Sequence, residues 1–214
     1  MLHFRSFRNT DPPILAAIWQ SQADKPGLRQ PISVGLLEQM VLAKLYFHYP
    51  GLILAWEDGR PVGFVHAGFG PNEQHSALQK DYGIICLMLV RPDCPQKEVA
   101  ERLLQQAEGY LVGQGAKVIY GGGLWPLCPF YLGLYGGSKL PGVLVSDSLA
   151  QQVYLAHGYR EVDRTVLFEC DVQAFRFPVS PKLVQLRRLV QVISWTDPRP
   201  RSWWEASLLA NFTQ

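Results

Sequence analysis

Apolar residues recur along the first third of the chain with two periods, first every second residue and then every third or fourth. Residues 3–8 alternate apolar and polar side chains, which predicts a half-buried strand. Asp11 offers a helix cap before two prolines that a first helical turn tolerates, so residues 14–22 are predicted to form a helix. A second helix is predicted to begin at Ser33, with an apolar face made of Leu36, Leu37, Met40 and Val41.

The dipeptide Asp58-Gly59 separates two apolar runs, and this combination is the strongest short signal for a hairpin turn. We predict the two strands of this hairpin at residues 52–57 and 61–69. Because the turn fixes which residues face each other, the two strands are expected to be antiparallel neighbours in one sheet.

Residues 82–90 are apolar almost throughout, which is typical of a central strand covered on both faces. A helical apolar period follows over residues 96–115, and glycines end it. Another apolar strand is predicted at residues 117–123. A buried strand, a helix and a second buried strand in this order predict a parallel crossover unit.

The chain changes character between residues 121 and 145, where seven glycines are interleaved with aromatic side chains. A segment of this length without regular structure is usually functional, and its aromatic residues argue against disorder. A short helix is predicted at residues 147–157 and a strand at 159–172. Beyond Pro178, the pattern predicts a strand at residues 183–195 and a helix at 202–212.

Composition and charge limit the function classes. The 214 residues, with 48% apolar and 18% charged side chains, are typical of a soluble globular protein that buries a core of its own. The formal charge of +2 gives no strong electrostatic footprint for a nucleic acid. The best basic cluster is interpreted as a solvated face; it consists of Lys182, Arg187, Arg188, Arg199 and Arg201.

Cysteine and histidine spacing favours neither a metal site nor a redox site. The four cysteines contain no CxxC pair, and the five histidines contain no HExxH-like pair, so no metal is expected. No signal peptide, lipidation motif or apolar stretch near 18 residues is found, so no membrane association is expected either. The expected compartment is the cytoplasm, with reduced thiols.

Two stretches resemble the GCN5-related N-acetyltransferases. Residues 4–19, FRSFRNTDPPILAAIW, look like the strand and capped helix with which that family begins, and residues 147–159, DSLAQQVYLAHGY, match its N-x-x-A-x-x-L-Y-x-x-x-G-F pattern. The resemblance covers roughly residues 3–172. It implies a mixed α/β fold with a mostly antiparallel sheet flanked by helices, in a domain at residues 1–173. Residues 174–214 are then a strand-and-helix extension.

From its periodicity alone, Tyr154 is a packing residue on one face of an amphipathic helix. The resemblance implies more, because in this family a tyrosine near the end of the corresponding helix gives a proton to the departing thiolate of CoA. By similarity we assign the role of general acid to Tyr154. Gly158 then ends the helix, since a residue without a Cβ permits a left-handed cap.

The resemblance also implies where acetyl-CoA, the acyl donor, binds. The pantetheine arm pairs with the central strand, here Leu87, Met88, Leu89 and Val90. The pyrophosphate lies at the N-terminus of the next helix, which favours anions. That turn corresponds to Pro95, Gln96, Lys97, Glu98, Val99 and Ala100, and the matching helix motif adds Asp147 and Ala150 to the expected cofactor-binding residues.

The predicted pyrophosphate turn departs from the family pattern, [QR]-x-x-G-x-[GA]. Glu98 brings a side chain and a negative charge to the position of a glycine, and Pro95 removes one amide donor. Two hypotheses follow. One is an N-acyltransferase that moves an acetyl group from acetyl-CoA to an amine by direct attack, with Lys97 and Arg102 compensating. The alternative is a non-catalytic relative that binds CoA as a sensor or mediates protein interactions.

The acceptor and the base are less defined. Aromatic walls suit a small amine or a peptide end, so Trp125, Phe130, Tyr131 and Tyr135 are the candidate acceptor residues. Asp81 and His66 are the candidate bases, although the family can also work through ordered water. Three tryptophans in the extension would be costly to expose, so we expect them to pack on the domain or on a second copy, which makes a homodimer one expectation.

Overall fold

Five strands form one mixed sheet in the order β1-β2-β3-β4-β5 in a computed structural model of the chain. The structure describes residues 1–22, 25–134, 142–166, 173, 176, 180–191 and 199–209. The strands are β1 (Leu2–Ser6), β2 (Leu52–Glu57), β3 (Arg60–Pro71), β4 (Leu78–Val90) and β5 (Val118–Gly121). Strands β1 to β4 are antiparallel, and β5 runs parallel to β4. The predicted mixed α/β fold with a mostly antiparallel sheet is confirmed.

Helices cover the sheet at the positions that the apolar periodicity predicts for the first 157 residues. The helices of the described part are α1 (Pro12–Gln20), α2 (Val34–Leu37), α3 (Gln96–Gly113), α4 (Ser148–Ala156), α5 (Pro181–Leu189) and α6 (Trp203–Leu209). The Ser33 side chain caps α2 by accepting a hydrogen bond from the Leu36 amide at 3.1 Å. Glu38–Leu42 continues α2 as a π-helical turn, and Tyr49–Gly51 forms a short 3₁₀ turn.

The hairpin between β2 and β3 has the predicted turn. Asp58 and Gly59 both adopt positive φ, at 48° and 81°, as the two central residues of a type I′ turn require. Leu52 faces His66 and Glu57 faces Arg60 across the pair, with one irregularity near Ala55. The connection from β4 to the parallel strand β5 runs through α3, as the crossover pattern predicts.

Two apolar clusters fill the two faces of the sheet. One lies under α1 and α2 and contains Trp19, Leu54, Phe64, Cys86 and Tyr131 among others. The other lies under α3 and α4 and contains strand residues that alternate with these, such as Val65 and Ile85, together with helix residues such as Leu103 and Tyr154. Central strands β3 and β4 are therefore covered on both sides, which explains why their sequences are apolar almost throughout.

Two strand predictions in the last third are wrong for the residues that the structure describes. In the predicted strand 159–172, residues 160–166 are exposed and lie in no strand. The Arg164 guanidinium instead pairs with the nearby Glu161 carboxylate at 2.8 Å. Residues 167–172 lie outside the described part. The predicted strand at 183–195 overlaps α5 instead. Pro181 suits a first helical turn, and the leucine, lysine, glutamine and arginine that follow favour helix, which outweighs the apolar pattern.

The C-terminal helix α6 contacts the sheet domain through Trp204, which is only 1% exposed. Its indole packs against Tyr46 with ring centroids 4.6 Å apart, and its amide donates to the carbonyl of His75 at 3.3 Å. Trp203 is 41% exposed, and Trp195 lies outside the described residues. Dimerisation through this extension stays a prediction, which sedimentation at micromolar concentration tests. No helix in the described part of the chain is long and apolar enough to cross a bilayer.

Candidate active site

Strands β4 and β5 separate halfway along β4. Their first pair is Tyr82 with Val118, and their last pair is Ile85 with Gly121. Gly122 then adopts φ 85° and turns the chain away, a conformation that favours glycine. Its own amide still donates to the carbonyl of Ile85 at 3.0 Å, so this contact marks the last rung of the pair.

A β-bulge lies at the same level on the other side of β4. The partners of His66 and Ala67 in β3 are Leu87 and Ile85, so Cys86 is the extra residue. Beyond Cys86, residues 87–90 of β4 remain paired with β3 but have no pairing with β5. The bulge and the glycine turn together open a gap along the second half of β4.

Strand alternation decides which main-chain groups of β4 face this gap. The Arg91 amide donates to the Val62 carbonyl of β3 at 2.8 Å, so Arg91 faces β3. Because successive residues of a strand point their amide and carbonyl groups to opposite edges, Val90 and Met88 face the gap. The Val90 carbonyl accepts a hydrogen bond at 2.9 Å from the side-chain amide of Gln22, which is not a residue of β3. The Met88 amide is thus placed at the centre of the gap.

A cavity of about 50 Å³ lies in this gap, and we call it the gap cavity. Three of the four predicted strand positions line it, namely Leu87, Met88 and Leu89, together with Asp147, Ala150 and Tyr154 of the motif around α4. The structure therefore brings together residues more than 50 positions apart that sequence similarity had assigned to one site. The remaining lining residues are Lys25, Pro26, Gly27, Leu28, Cys86, Gly122, Gly142, Val143 and Leu144.

Helix α4 positions Tyr154 on the wall of the gap cavity. Asp147 caps the helix by accepting a hydrogen bond from the Ala150 amide at 3.1 Å, and Gly158 ends the last turn with φ 82°. The phenol ring lies directly on Gly121, where a Cβ would come within 2.7 Å of it. A side chain at residue 121 would displace the ring, so this glycine is needed where β5 ends.

The environment of Tyr154 keeps its phenol protonated. The side chain is buried, with 7% of its surface exposed. Burial is the main cause that raises the pKa of Tyr154 well above its usual value, with smaller contributions from Cys86 and Asp147, while the Gly122 amide lowers it slightly. At neutral pH the phenol therefore holds a proton that it can donate.

An ion pair at the mouth of the gap cavity joins the segment after α1 to α4. Lys25 Nζ lies 2.6 Å from Asp147 Oδ2. Two residues later, Gly27 adopts φ 77°, and a Cβ there would lie 2.6 Å from Leu144. No pattern in the sequence assigns Lys25, Gly27 or Leu28 to the site. The loop at 25–31 was visible only as a proline- and glycine-containing connection, and no local pattern shows that it contacts residues 142–147.

The predicted pyrophosphate turn lies at the far end of β4, and its residues do not line the gap cavity. Helix α3 begins at Gln96, after Pro95 as cap residue. The first helical bond runs from the Val99 amide to the Pro95 carbonyl at 3.1 Å, so the amides of residues 96–98 precede it. Glu98 is exposed. Val99 and Ala100 lie on the buried face of α3.

The two candidate bases lie outside the gap cavity. His66 is 1% exposed, and its Nδ1 lies 2.9 Å from the Tyr131 hydroxyl. Burial lowers the pKa of His66 to about 3, so its imidazole is neutral and a weak proton acceptor. Asp81 is near the start of β4, and its carboxylate pairs with Lys117 Nζ at 3.0 Å.

The structure separates the candidate acceptor residues. Trp125 is 46% exposed, whereas Phe130 and Tyr131 are both 1% exposed and belong to the core. Tyr131 stacks on Trp19 with centroids 6.0 Å apart, and Phe130 packs on His66 at 4.4 Å. Tyr135 lies outside the described residues. None of the three described residues lines the gap cavity.

Two further observations concern cysteines and metals. Cys86 and Cys128 are buried and Cys94 is partly buried; these three cysteines form no disulfide among the described residues, and Cys170 lies outside them. Burial raises the pKa of the Cys86 thiol well above its usual value, with the neighbouring Cys128 adding to the effect. No group of three or more possible metal ligands occurs among the residues that the structure describes.

Similarity to known proteins agrees with this geometry. The sequence profile of the Acetyltransferase (GNAT) family matches residues 15–122, half of the chain. No curated protein sequence gives a significant match. An aminoglycoside acetyltransferase from an uncultured soil metagenomic sample, crystallised with trehalose, aligns at a TM-score of 0.52 and 12% identity over 80% of this chain and 96% of its own.

A second solved structure is similar to the same extent. The aminoglycoside antibiotic 6'-N-acetyltransferase from Acinetobacter haemolyticus aligns at a TM-score of 0.52 and 13% identity, over 79% of this chain and 99% of its own. At these identities the likeness is one of fold.

Proposed function

The chain belongs to the GNAT acetyltransferase family, and we propose that it transfers an acetyl group from acetyl-CoA to an amine by direct attack. The observation that carries this proposal is the place of Tyr154, a buried and protonated phenol on the wall of the gap cavity. Acetyl-CoA supplies the acetyl group as a thioester. The chain's own residues must then polarise the thioester carbonyl, orient it and protonate the sulfur that leaves.

The Met88 amide is suited to polarise the carbonyl. It faces the gap by strand alternation, beside the bulge at Cys86, and Met88 lines the gap cavity. A main-chain donor aimed at a developing oxyanion in a water-poor site contributes strongly to catalysis, because it needs no reorganisation during the reaction. Register thus favours the Met88 amide over the Leu89 amide for this role.

Tyr154 is suited to protonate the leaving sulfur. As the amine nitrogen forms its bond to the carbonyl carbon, the carbon–sulfur bond breaks and the electron pair goes to sulfur. The phenol gives its proton to this thiolate, and the phenolate regains a proton from solvent. Since neither His66 nor Asp81 lines the gap cavity, we propose that the proton lost by the amine goes to water.

The two stretches predicted to bind the cofactor follow each other: residues 87–90 form the open part of β4, and residues 95–100 come after its end. We propose that the pantetheine arm lies along residues 87–90 and that the pyrophosphate lies at the start of α3. The amides of residues 96–98 are not used by the first helical hydrogen bond, and a helix N-terminus favours anions. Glu98 is exposed, and we propose that its side chain leaves these amides accessible.

The carboxylate of Glu98 should nevertheless weaken diphosphate binding. Exchanging Glu98 for glutamine removes one negative charge from the first turn of α3, so acetyl-CoA should bind about two- to fivefold more tightly at low salt. Glu101→Gln, one turn further along the helix, is the control and should change the affinity less. If calorimetry shows equal affinities for all three proteins, the pyrophosphate does not bind at this turn.

For the acceptor we propose a small amine. The two similar solved structures described above are aminoglycoside acetyltransferases, and the soil-metagenome enzyme was also crystallised with sisomicin. Trp125 is the one exposed aromatic residue among the described acceptor candidates. Trp125→Ala should raise the acceptor KM and leave acetyl-CoA affinity unchanged. Unchanged kinetics for each amine that the wild type accepts would remove Trp125 from the acceptor site.

The central experiment on this proposal exchanges Tyr154 for phenylalanine. At saturating substrates, kcat should fall by about 10²- to 10⁴-fold, the usual contribution of a general acid, while acetyl-CoA affinity stays close to that of the wild type. Tyr159→Phe is the matched control, because Tyr159 packs on Tyr154 at 5.0 Å but does not line the gap cavity. An unchanged kcat in Tyr154→Phe would exclude the phenol as the acid. A wild type that binds acetyl-CoA without turnover would favour the sensor alternative.

A further inference from the structure

A second cavity, of about 200 Å³, lies at the edge of β3 and shares no lining residue with the gap cavity. We call it the aromatic cavity, because five of its lining residues are aromatic: Tyr46, Phe47, Phe69, Tyr110 and Phe130. Cavities of about 150 Å³ with apolar walls admit a benzene ring. The aromatic cavity is thus large enough for one ring with small substituents.

The aromatic cavity exists because β3 continues beyond its neighbour. The pairing of β2 with β3 ends where Leu52 faces His66, and β3 runs on to Pro71. The chain before β2 folds beside this edge and approaches it closely at Gly51, where a Cβ would lie 2.3 Å from the Ala67 carbonyl. The edge, this preceding segment and the end of α3 enclose the cavity.

His66 lies at the buried side of the aromatic cavity and has an unused polar atom. Its Nδ1 is engaged by the Tyr131 hydroxyl at 2.9 Å, whereas Nε2 makes no hydrogen bond with any residue that the structure describes. The residue is 1% exposed, so leaving this nitrogen without a partner is unfavourable. A ligand with a hydrogen-bonding group at this depth would remove the penalty.

The His66 imidazole favours an uncharged hydrogen-bonding partner. Burial lowers the pKa of His66 to about 3, so the ring is uncharged at neutral pH. Depending on the tautomer, Nε2 either donates or accepts a hydrogen bond. A hydroxyl group can do both, whereas a charged group at the buried end of the cavity would lose its hydration without a countercharge.

The rim of the aromatic cavity is positively charged. Lys80 is its only lining residue with a formal charge, and the lining set contains no aspartate or glutamate. The Lys80 ammonium is exposed and donates to Gln114 Oε1 at 2.8 Å. In the register of β3 and β4, Lys80 lies beside the end of β3. At 3.3 Å per residue, this position is roughly 13 Å along β3 from His66. The long side chain of Lys80 spans part of that distance.

We propose that the aromatic cavity binds a small aromatic acid that carries a hydroxyl group, with the ring between the aromatic walls, the hydroxyl at His66 Nε2 and the carboxylate beside Lys80. The aromatic walls supply apolar area, His66 supplies the buried hydrogen bond and Lys80 sets the charge preference. This site is separate from acetyl transfer. Its test therefore needs no acetyl-CoA, and it can fail or succeed whatever the outcome for Tyr154.

Three probes that differ in one group each test the assignment by calorimetry on the full chain. 4-Hydroxyphenylacetate should bind saturably. Phenylacetate lacks the hydroxyl and should bind about two- to tenfold more weakly, the usual effect of one hydrogen bond. 4-Hydroxybenzylamine replaces the carboxylate with an ammonium group and should bind more weakly than 4-hydroxyphenylacetate.

Two lysine variants locate the probe. Lys80→Gln should weaken binding of 4-hydroxyphenylacetate and keep the preference for the hydroxyl. Lys117→Gln is the matched control, since Lys117 is also an exposed lysine but pairs with Asp81 outside the cavity lining, and it should bind like the wild type. Absence of saturable binding at millimolar probe, equal affinities for the three probes, or equal effects of the two variants would each overturn the proposal.

Discussion

The buried imidazole of His66 makes stability depend on pH in a way that can be worked out from the structure. The unfolded chain exposes this imidazole, which takes up a proton as the pH falls through about 6.5. In the folded protein, burial lowers the pKa to about 3, so the same proton is not bound until much lower pH. Between these values the unfolded state binds more protons, and stability must fall as the pH falls.

One proton contributes about 1.4 kcal/mol per pH unit where only the unfolded state is protonated. Between pH 7 and pH 5, the free energy of unfolding should therefore fall by about 2 kcal/mol because of His66 alone. The loss begins below about pH 6.5 and continues toward the folded pKa of about 3. The part of this window between pH 7 and pH 5 lies above the range in which most carboxylates titrate, which separates the two effects.

Urea unfolding followed by tryptophan fluorescence at a series of pH values measures this dependence. In His66→Asn the new amide can still reach the Tyr131 hydroxyl but does not titrate, so the variant should lose about 2 kcal/mol of the fall between pH 7 and pH 5. His48→Asn, an exposed histidine exchanged in the same way, should keep the full fall. Equal pH dependence in wild type and His66→Asn would refute the neutral, buried state of the imidazole.

Two further substitutions test packing at the site and at the C-terminal helix. Gly121→Ala puts a Cβ about 2.7 Å from the Tyr154 ring, so it should destabilise the protein by about 1–3 kcal/mol and lower kcat. Gly109→Ala is the control, because Gly109 lies on an open face of α3, and in the same unfolding and rate assays it should be neutral or slightly stabilising. Trp204→Ala removes a fully buried indole and should lower the free energy of unfolding in urea by about 3–5 kcal/mol. Trp203→Ala is the control and should lower it much less, because Trp203 is more exposed. Equal losses of stability in the two variants would show that α6 packs differently.

Local patterns predicted the elements whose determinants are local. Asp58-Gly59 specifies a turn by its own backbone preference, and Asp147 and Gly158 delimit α4 by capping. The apolar run of β4 marks a strand covered on both faces. These signals need no knowledge of distant residues, so the predictions of strands β1 to β5, of α3 and of α4 are confirmed.

Features that depend on distant contacts could not be found in the same way. Lys25 reaches Asp147 across more than 100 residues, and nothing in the sequence near either residue indicates the pair. Tyr131 looked like a pocket wall because aromatic residues occur equally in cores and in pockets. The strand predicted at 183–195 was wrong since its apolar residues fit a helix equally well, and Pro181 decided the outcome.

The central claim is that the gap along β4 binds acetyl-CoA and presents it to an amine. Amide NMR of the full chain during a titration with acetyl-CoA tests this most directly. We expect saturable chemical-shift changes at the amides of Met88, Gly122 and residues 96–98, and also at the amide of Tyr154. Shifts confined to other surfaces, or none at millimolar acetyl-CoA, would contradict the account.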